Sequence, residues 1–166
     1  MKEFLEGRRL GFAPRSHLAF VAIGLGFAVT LIDLMAWFGW GARDTSIYVV
    51  AAQWLCVTTF VLVGVTAVTA VVEYGDVDTE ERGLARIDEA AAIGALALYG
   101  ISAVLRSLEL GQAAPSPAPF LLAIAGLVLL MADAGLAANL YSTREWEVLE
   151  DEPVHERHPR RRAAGR

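Results

Sequence analysis

Apolar residues in this chain come in four long runs, 18–40, 47–72, 90–105 and 120–141, and only two charged residues, Asp33 and Asp133, interrupt them. A helix rises about 1.5 Å per residue and a bilayer's hydrocarbon core is roughly 30 Å thick, so about 20 apolar residues suffice to cross it. Three runs reach that length. The third has 16 residues between Glu89 and Arg106, so its helix must recruit its charged flanks or thin the bilayer locally, which sets Asp88, Glu89 and Arg106 at the membrane boundary. The first run is too long for the h-region of a signal peptide and reads as a retained span. The pattern predicts an all-α integral membrane protein, an antiparallel four-helix transmembrane bundle with spans of about 17–40, 47–72, 86–106 and 120–141. A lead-in of residues 1–16 precedes this domain of residues 17–142, and a charged tail, 143–166, follows it.

Four spans put both termini and the middle loop on one side. That side carries Lys2, Arg8, Arg9, Arg15, Arg82, Arg86 and Arg144 near span ends, against Arg43 and Arg106 on the other. The positive-inside rule then makes both termini cytoplasmic in a multi-pass protein of the cell membrane. Trp37, Trp40 and Tyr48 toward the outer boundary, with Tyr74, Tyr141 and Trp146 toward the inner one, fit interfacial aromatic belts. Residues 41–46 read as a tight outer turn, whereas alternating Pro115, Pro117 and Pro119 predict an extended, non-helical outer link over 113–119. In the acidic inner loop, Asp78 or Thr79 caps a helix that starts near Glu80 and runs on into span 3. The lead-in mixes Phe4, Leu5, Leu10 and Phe12 with Lys2, Arg8 and Arg9, the composition of a short interfacial helix. Gly7, Gly11 and Pro14 speak equally for a flexible segment. The tail divides into an acidic half and an arginine-rich half, a solvated and disordered composition.

Composition agrees with the class: 55% of residues are hydrophobic and mean hydropathy is +0.46. A formal net charge of -5 excludes nucleic acid as a main partner, because a phosphate-binding surface needs a basic excess. The single cysteine, Cys56, provides neither a disulfide framework nor a thiolate metal site and reads as a small buried hydrophobe.

An ionisable side chain inside a bilayer costs at least about 2.5 kcal/mol on insertion scales, which makes Asp33 and Asp133 the leading candidates for function. Counted from the outer span ends, Asp33 lies roughly 12 Å deep and Asp133 about 20 Å. Gln53 falls near the depth of Asp33, and Arg106 can bend its stem toward the same level. The structural reading is an interhelical clamp of Asp33, Gln53 and Arg106, with Asp133 satisfied by Thr66, Thr69 or Asn139. The functional reading is a proton relay or cation site of two carboxyls at staggered depths. Haem ligation draws on histidine or methionine in the bundle core. Of His17, His155 and His158 only His17 lies near a span, so no cofactor and no metal are expected. Gly24 with Ala28, Ala91 with Ala95, and Ala134 with Ala138 have the small-xxx-small spacing of close helix packing, within the chain or in a homo-oligomer. No phosphate loop, Ser–His–Asp set or Walker lysine is present in the sequence.

His17 before span 1, Ile32-Asp33-Leu34 within it, Glu73-Tyr74-Gly75-Asp76 after span 2, and Tyr99 through Arg106 closing span 3 together resemble the four-span membrane family DUF2231. The chain departs from that pattern at Leu18, where the family has proline, and at Asp88-Glu89, near which it has histidine. It also departs at the end of the last span, where the family is glycine-rich and this chain has Gly135 and small alanines. The resemblance implies the four-span fold and an association with redox proteins, which the missing histidines oppose. The expectation from the sequence is a non-enzymatic accessory or scaffold subunit, held in the lipid bilayer and contacting membrane or cytoplasmic proteins through its tails. A small proton or cation transporter using Asp33 and Asp133 is the main alternative, and a quinone- or haem-associated redox protein the second.

Overall fold

The computed structural model describes residues 14–41, 44–74 and 82–151, with side chains over 17–41, 44–71 and 82–137. Four helices follow in order: α1 (Pro14–Phe38), α2 (Ser46–Tyr74), α3 (Arg82–Ser107) and α4 (Pro117–Asp151). Each contains a stretch long and apolar enough to cross a membrane: His17–Phe38, Ser46–Val71, Arg82–Ser107 and Pro117–Ala137. The third span does recruit its charged flank, since α3 begins at Arg82 and adds two turns to the 16-residue run. The proposed cap at Asp78 or Thr79 lies outside the described residues.

Neighbours in sequence pack on one another, and α4 closes against α1, so α1 and α3 face each other across one diagonal and α2 and α4 across the other. Burial follows a heptad rhythm of alternating steps of three and four, as in left-handed coiled coils. On α1 the buried positions are 19, 22, 26, 29, 33 and 36, and on α3 they include 85, 88, 92, 95, 99, 102 and 106. The residues on this seam are small or polar. Alanines, Val29, Val49, Val63, Thr59, Thr66, Asp33, Asp133 and Arg106 are buried, whereas Phe20, Phe27, Trp54 and Val104 point outward. This inverts the usual arrangement of a water-soluble domain and is what a bilayer solvent selects. Lipid tails are as apolar as leucine, so helices associate through close packing and polar contacts.

The end of the bundle away from the termini, called the distal end below, is tightly closed. α1 stops at Gly39, whose φ of 63° suits a left-handed helix cap, and Trp40 N–H returns to the carbonyl of Met35 at 3.0 Å. Asp44 Oδ1 accepts Ser46 N–H at 3.0 Å at the start of α2, and Tyr48 Oη donates to the carbonyl of Trp40 at 2.6 Å. In the second distal loop, both Glu109 carboxylate oxygens accept from Ser116, one from its N–H and one from its hydroxyl. Trp37 Nε1 donates to the carbonyl of Pro115 at 2.8 Å, tying α1 to that loop. Its ring meets Phe120 with centroids 4.5 Å apart.

Two expectations need correction here. Residues 113–119 are not extended throughout, because α4 already includes Pro117 and Pro119. The first turn of a helix has no intrahelical use for its N–H groups, so proline there loses nothing and its fixed φ favours the turn. Nor is the region after residue 142 uniformly disordered, since α4 continues to Asp151. Residues 152–166 lie outside the described set.

Candidate functional site

A buried ion pair crosses the diagonal between α1 and α3. Arg106 donates from Nη1 to Asp33 Oδ1 at 2.7 Å and from Nη2 to Asp33 Oδ2, a two-pronged match of guanidinium to carboxylate that lysine could not reproduce. Both side chains are 0% exposed. Arg106 stands in the last turn of α3, where its positive charge also complements the helix dipole. Helical side chains lean toward the N-terminus, so the guanidinium reaches back into the bundle.

The third prong continues the network. Arg106 Nε donates to Ser102 Oγ at 3.2 Å, and the Ser102 hydroxyl donates to the carbonyl of Pro119 at 2.7 Å. From α2, Cys56 Sγ lies 3.7 Å from both Ser102 Oγ and the carbonyl oxygen of Tyr99. Asp33, Cys56, Ser102, Arg106 and Pro119 therefore connect all four helices at one level. The chemistry of this set is that of a lock, because Nε and both terminal nitrogens of the guanidinium each have a fixed acceptor.

One heptad below, Tyr99 makes the second diagonal contact. Its ring rests on Gly126 of α4, where an added Cβ would come within 3.0 Å of two ring carbons, and its hydroxyl abuts Gly26 of α1 so closely that a Cβ there would overlap it. Tyr99 is fully buried, and its hydroxyl oxygen has no hydrogen-bond partner among the described residues. Tyr99 with Gly26 and Arg106 with Asp33 have the same offset along the parallel helices α1 and α3. The diagonal pair is thus held in one register at two points.

The expected clamp of Asp33, Gln53 and Arg106 is present in two of its three members. Both oxygens of Asp33 are occupied by Arg106, and Gln53 Oε1 is buried without a hydrogen-bond partner among the described residues. Gln53 lies on the flank of α2 beside the fully buried row of Val49, Ala52 and Cys56. Equal depth was the basis of the expectation, and depth alone does not fix which way a helix faces.

Toward the termini, Asp133 is 1% exposed and Asp88 is 3% exposed. Asp88 therefore faces the inside of the bundle, because it occupies a core step of α3's heptad. Glu89, one residue on, is half-buried. Descending two heptads from the Ser102–Pro119 contact along antiparallel α3 and α4 brings Asp88 and Asp133 to a common level. Each makes a polar interaction, as does His17. Thr66 and Thr69 do not donate to Asp133, since their hydroxyls donate to the carbonyls of Val63 and Thr66 on their own helix. The Asn139 side chain lies outside the described residues. Among the described residues no group of three or more His, Cys, Asp or Glu side chains is placed to hold a metal ion.

Sequence reasoning singled out Asp33, Arg106 and Asp133 from the cost of charge in lipid but missed Ser102, Gly26 and Gly126. Ser102 had a signal: it precedes Arg106 by four residues and so shares its helix face. The four-span architecture expected from the resemblance to DUF2231 is present in the structure. No known protein family, curated protein or solved structure matches this chain.

Proposed function

We propose that this chain is a non-catalytic integral membrane subunit, a rigid four-span scaffold for other membrane or cytoplasmic proteins. The observation that carries this reading is the Asp33–Arg106 pair. The costliest groups in the spans are spent on each other, fully enclosed, with a third bond to Ser102 and no aqueous approach. A carboxylate that binds or relays an ion must gain and lose its partner during a cycle, and this one is held bidentately. In the reading both termini are cytoplasmic and offer the charged tails to partners.

A small proton or cation transporter is the second reading, favoured by one observation: Asp88 and Asp133 are buried at a common level of facing helices. Flux measurements separate the two. Wild-type proteoliposomes are expected to show no proton or cation flux above empty vesicles, and the Asp88→Asn/Asp133→Asn variant, which leaves the Asp33–Arg106 pair intact, to insert and keep its assembly state on native gels. A wild-type flux that disappears in the double variant would replace the scaffold by the transporter.

A further inference from the structure

The distal end carries large apolar side chains where a water-facing loop would carry polar ones. Phe38 is 63% exposed, Trp40 54%, Leu108 77% and Leu110 52%, and the last three lie beyond the ends of the candidate spans. They are held in place. Phe38 and Trp40 stack with centroids 5.1 Å apart, and Tyr48 fixes the Trp40 carbonyl. The Glu109 carboxylate, between the two leucines, is turned inward onto Ser116, so this loop presents leucine to its surroundings and keeps its charge to itself. Trp37 latches the same loop to the end of α1. Both distal loops, linked through Trp37 and Pro115, thus present apolar side chains at the end of the bundle that holds the Asp33–Arg106 pair and make up its apolar cap.

We propose that this cap is seated in the phospholipid interface, with Phe38, Trp40, Leu108 and Leu110 embedded at the glycerol and headgroup level instead of projecting into water. The occupant follows from continuity, because the exposed cap residues prolong the lipid-facing rows of the spans, Phe38 beyond Leu31 on α1 and Leu108 beyond Ile101 and Val104 on α3. Tryptophan beside stacked phenylalanine, with the indole free to meet polar headgroups, is the side-chain chemistry of that layer. The leucines extend it inward to the first acyl carbons. The inference rests on the four-span reading and adds that the distal loops belong to the membrane.

The test uses the full chain in vesicles of phosphatidylcholine and phosphatidylglycerol. In a Cys56→Ala background, Leu108→Cys, Leu110→Cys, Gln112→Cys and Ile101→Cys each receive a nitroxide, and collision rates with oxygen and with a water-soluble neutral nickel chelate are compared. Gln112 is an exposed polar residue of the same loop, and Ile101 faces outward on α3 inside the span. The ratio of oxygen to nickel collisions should be severalfold higher at 108 and 110 than at 112, and highest at 101. Nickel access at 108 and 110 equal to that at 112 would place the loop in water and overturn the proposal. Loss of both collision types at 108 and 110 would assign the cap to a protein partner and overturn it equally. Nickel access at 101 would instead refute the four-span reading itself.

Discussion

Removing either partner of the Asp33–Arg106 pair should be far more damaging than removing both. In Asp33→Leu the guanidinium keeps only its bond to Ser102 Oγ, at 3.2 Å, and loses both carboxylate contacts inside an enclosure where it is 0% exposed. Breaking a buried pair from one side costs about 3–5 kcal/mol, whereas replacing both members with apolar residues of similar volume is often neutral or stabilising. Arginine cannot shed its proton, while a stranded carboxyl can acquire one. Asp33→Leu is therefore expected at the upper end of that range and Arg106→Met at the lower. The double variant should lie within about 1.5 kcal/mol of wild type, because Ser102 retains its bond to the Pro119 carbonyl and only apolar volume is exchanged. Unfolding of purified protein in mixed micelles, titrated with SDS and followed by circular dichroism, gives all four corners of the cycle. Single variants within about 1 kcal/mol of wild type, or a double variant destabilised by the sum of both, would refute the lock.

Gly26→Ala should destabilise by about 1–3 kcal/mol through overlap with the Tyr99 hydroxyl and be largely rescued by Tyr99→Phe, since the nearest ring carbon lies 3.5 Å away and the remaining tight neighbour, Leu127 Cδ1 at 3.0 Å, is the end of a flexible side chain; Gly24→Ala, with open space around it, should be neutral in the same titration. Ser102→Ala should cost about 1–3 kcal/mol by stranding Arg106 Nε, which a drop in melting temperature in detergent would report. Hydrogen bonds from Ser46, its side chain first and its backbone second, hold the Asp44 carboxyl below the ordinary aspartate value. The cap is thus complete at neutral pH and lost as pH falls through the depressed value, a loss visible by NMR titration and absent in Asp44→Asn. Cysteines at Arg43 and Gln112 should label from outside intact cells and those at Asp78 and Glu150 should not; the opposite pattern would invert the topology.

The four spans were legible because a bilayer demands runs of apolar residues, and Asp33, Asp133 and Arg106 stood out because it penalises charge. The inward faces were not legible from hydropathy, since inside and outside are both apolar here. The signal that distinguishes them is size and polarity at heptad steps: Ala19, Ala22, Gly26, Val29 and Asp33 turn inward on α1, with Phe20, Phe27 and Leu31 outward. Read that way, Gly26 and Ser102 would have joined Asp33 and Arg106, and Gln53 would have fallen off the seam. The helical start at Pro117 was hidden because proline spacing was weighed as a helix breaker without regard to its tolerance in a first turn.

Asp33 and Arg106 are separated by 73 residues of chain, and this sets an order on biogenesis. A ribosome delivers α1 to the membrane long before α3 exists, so the nascent α1–α2 hairpin carries an acidic group that has no guanidinium to meet. α1 is disfavoured as a finished membrane segment until Arg106 emerges at the last turn of α3, and Pro119 must follow to anchor Ser102. The lock can therefore close only after the third helix and the start of the fourth have been made. A chain cut short after α2 keeps that carboxyl without its guanidinium.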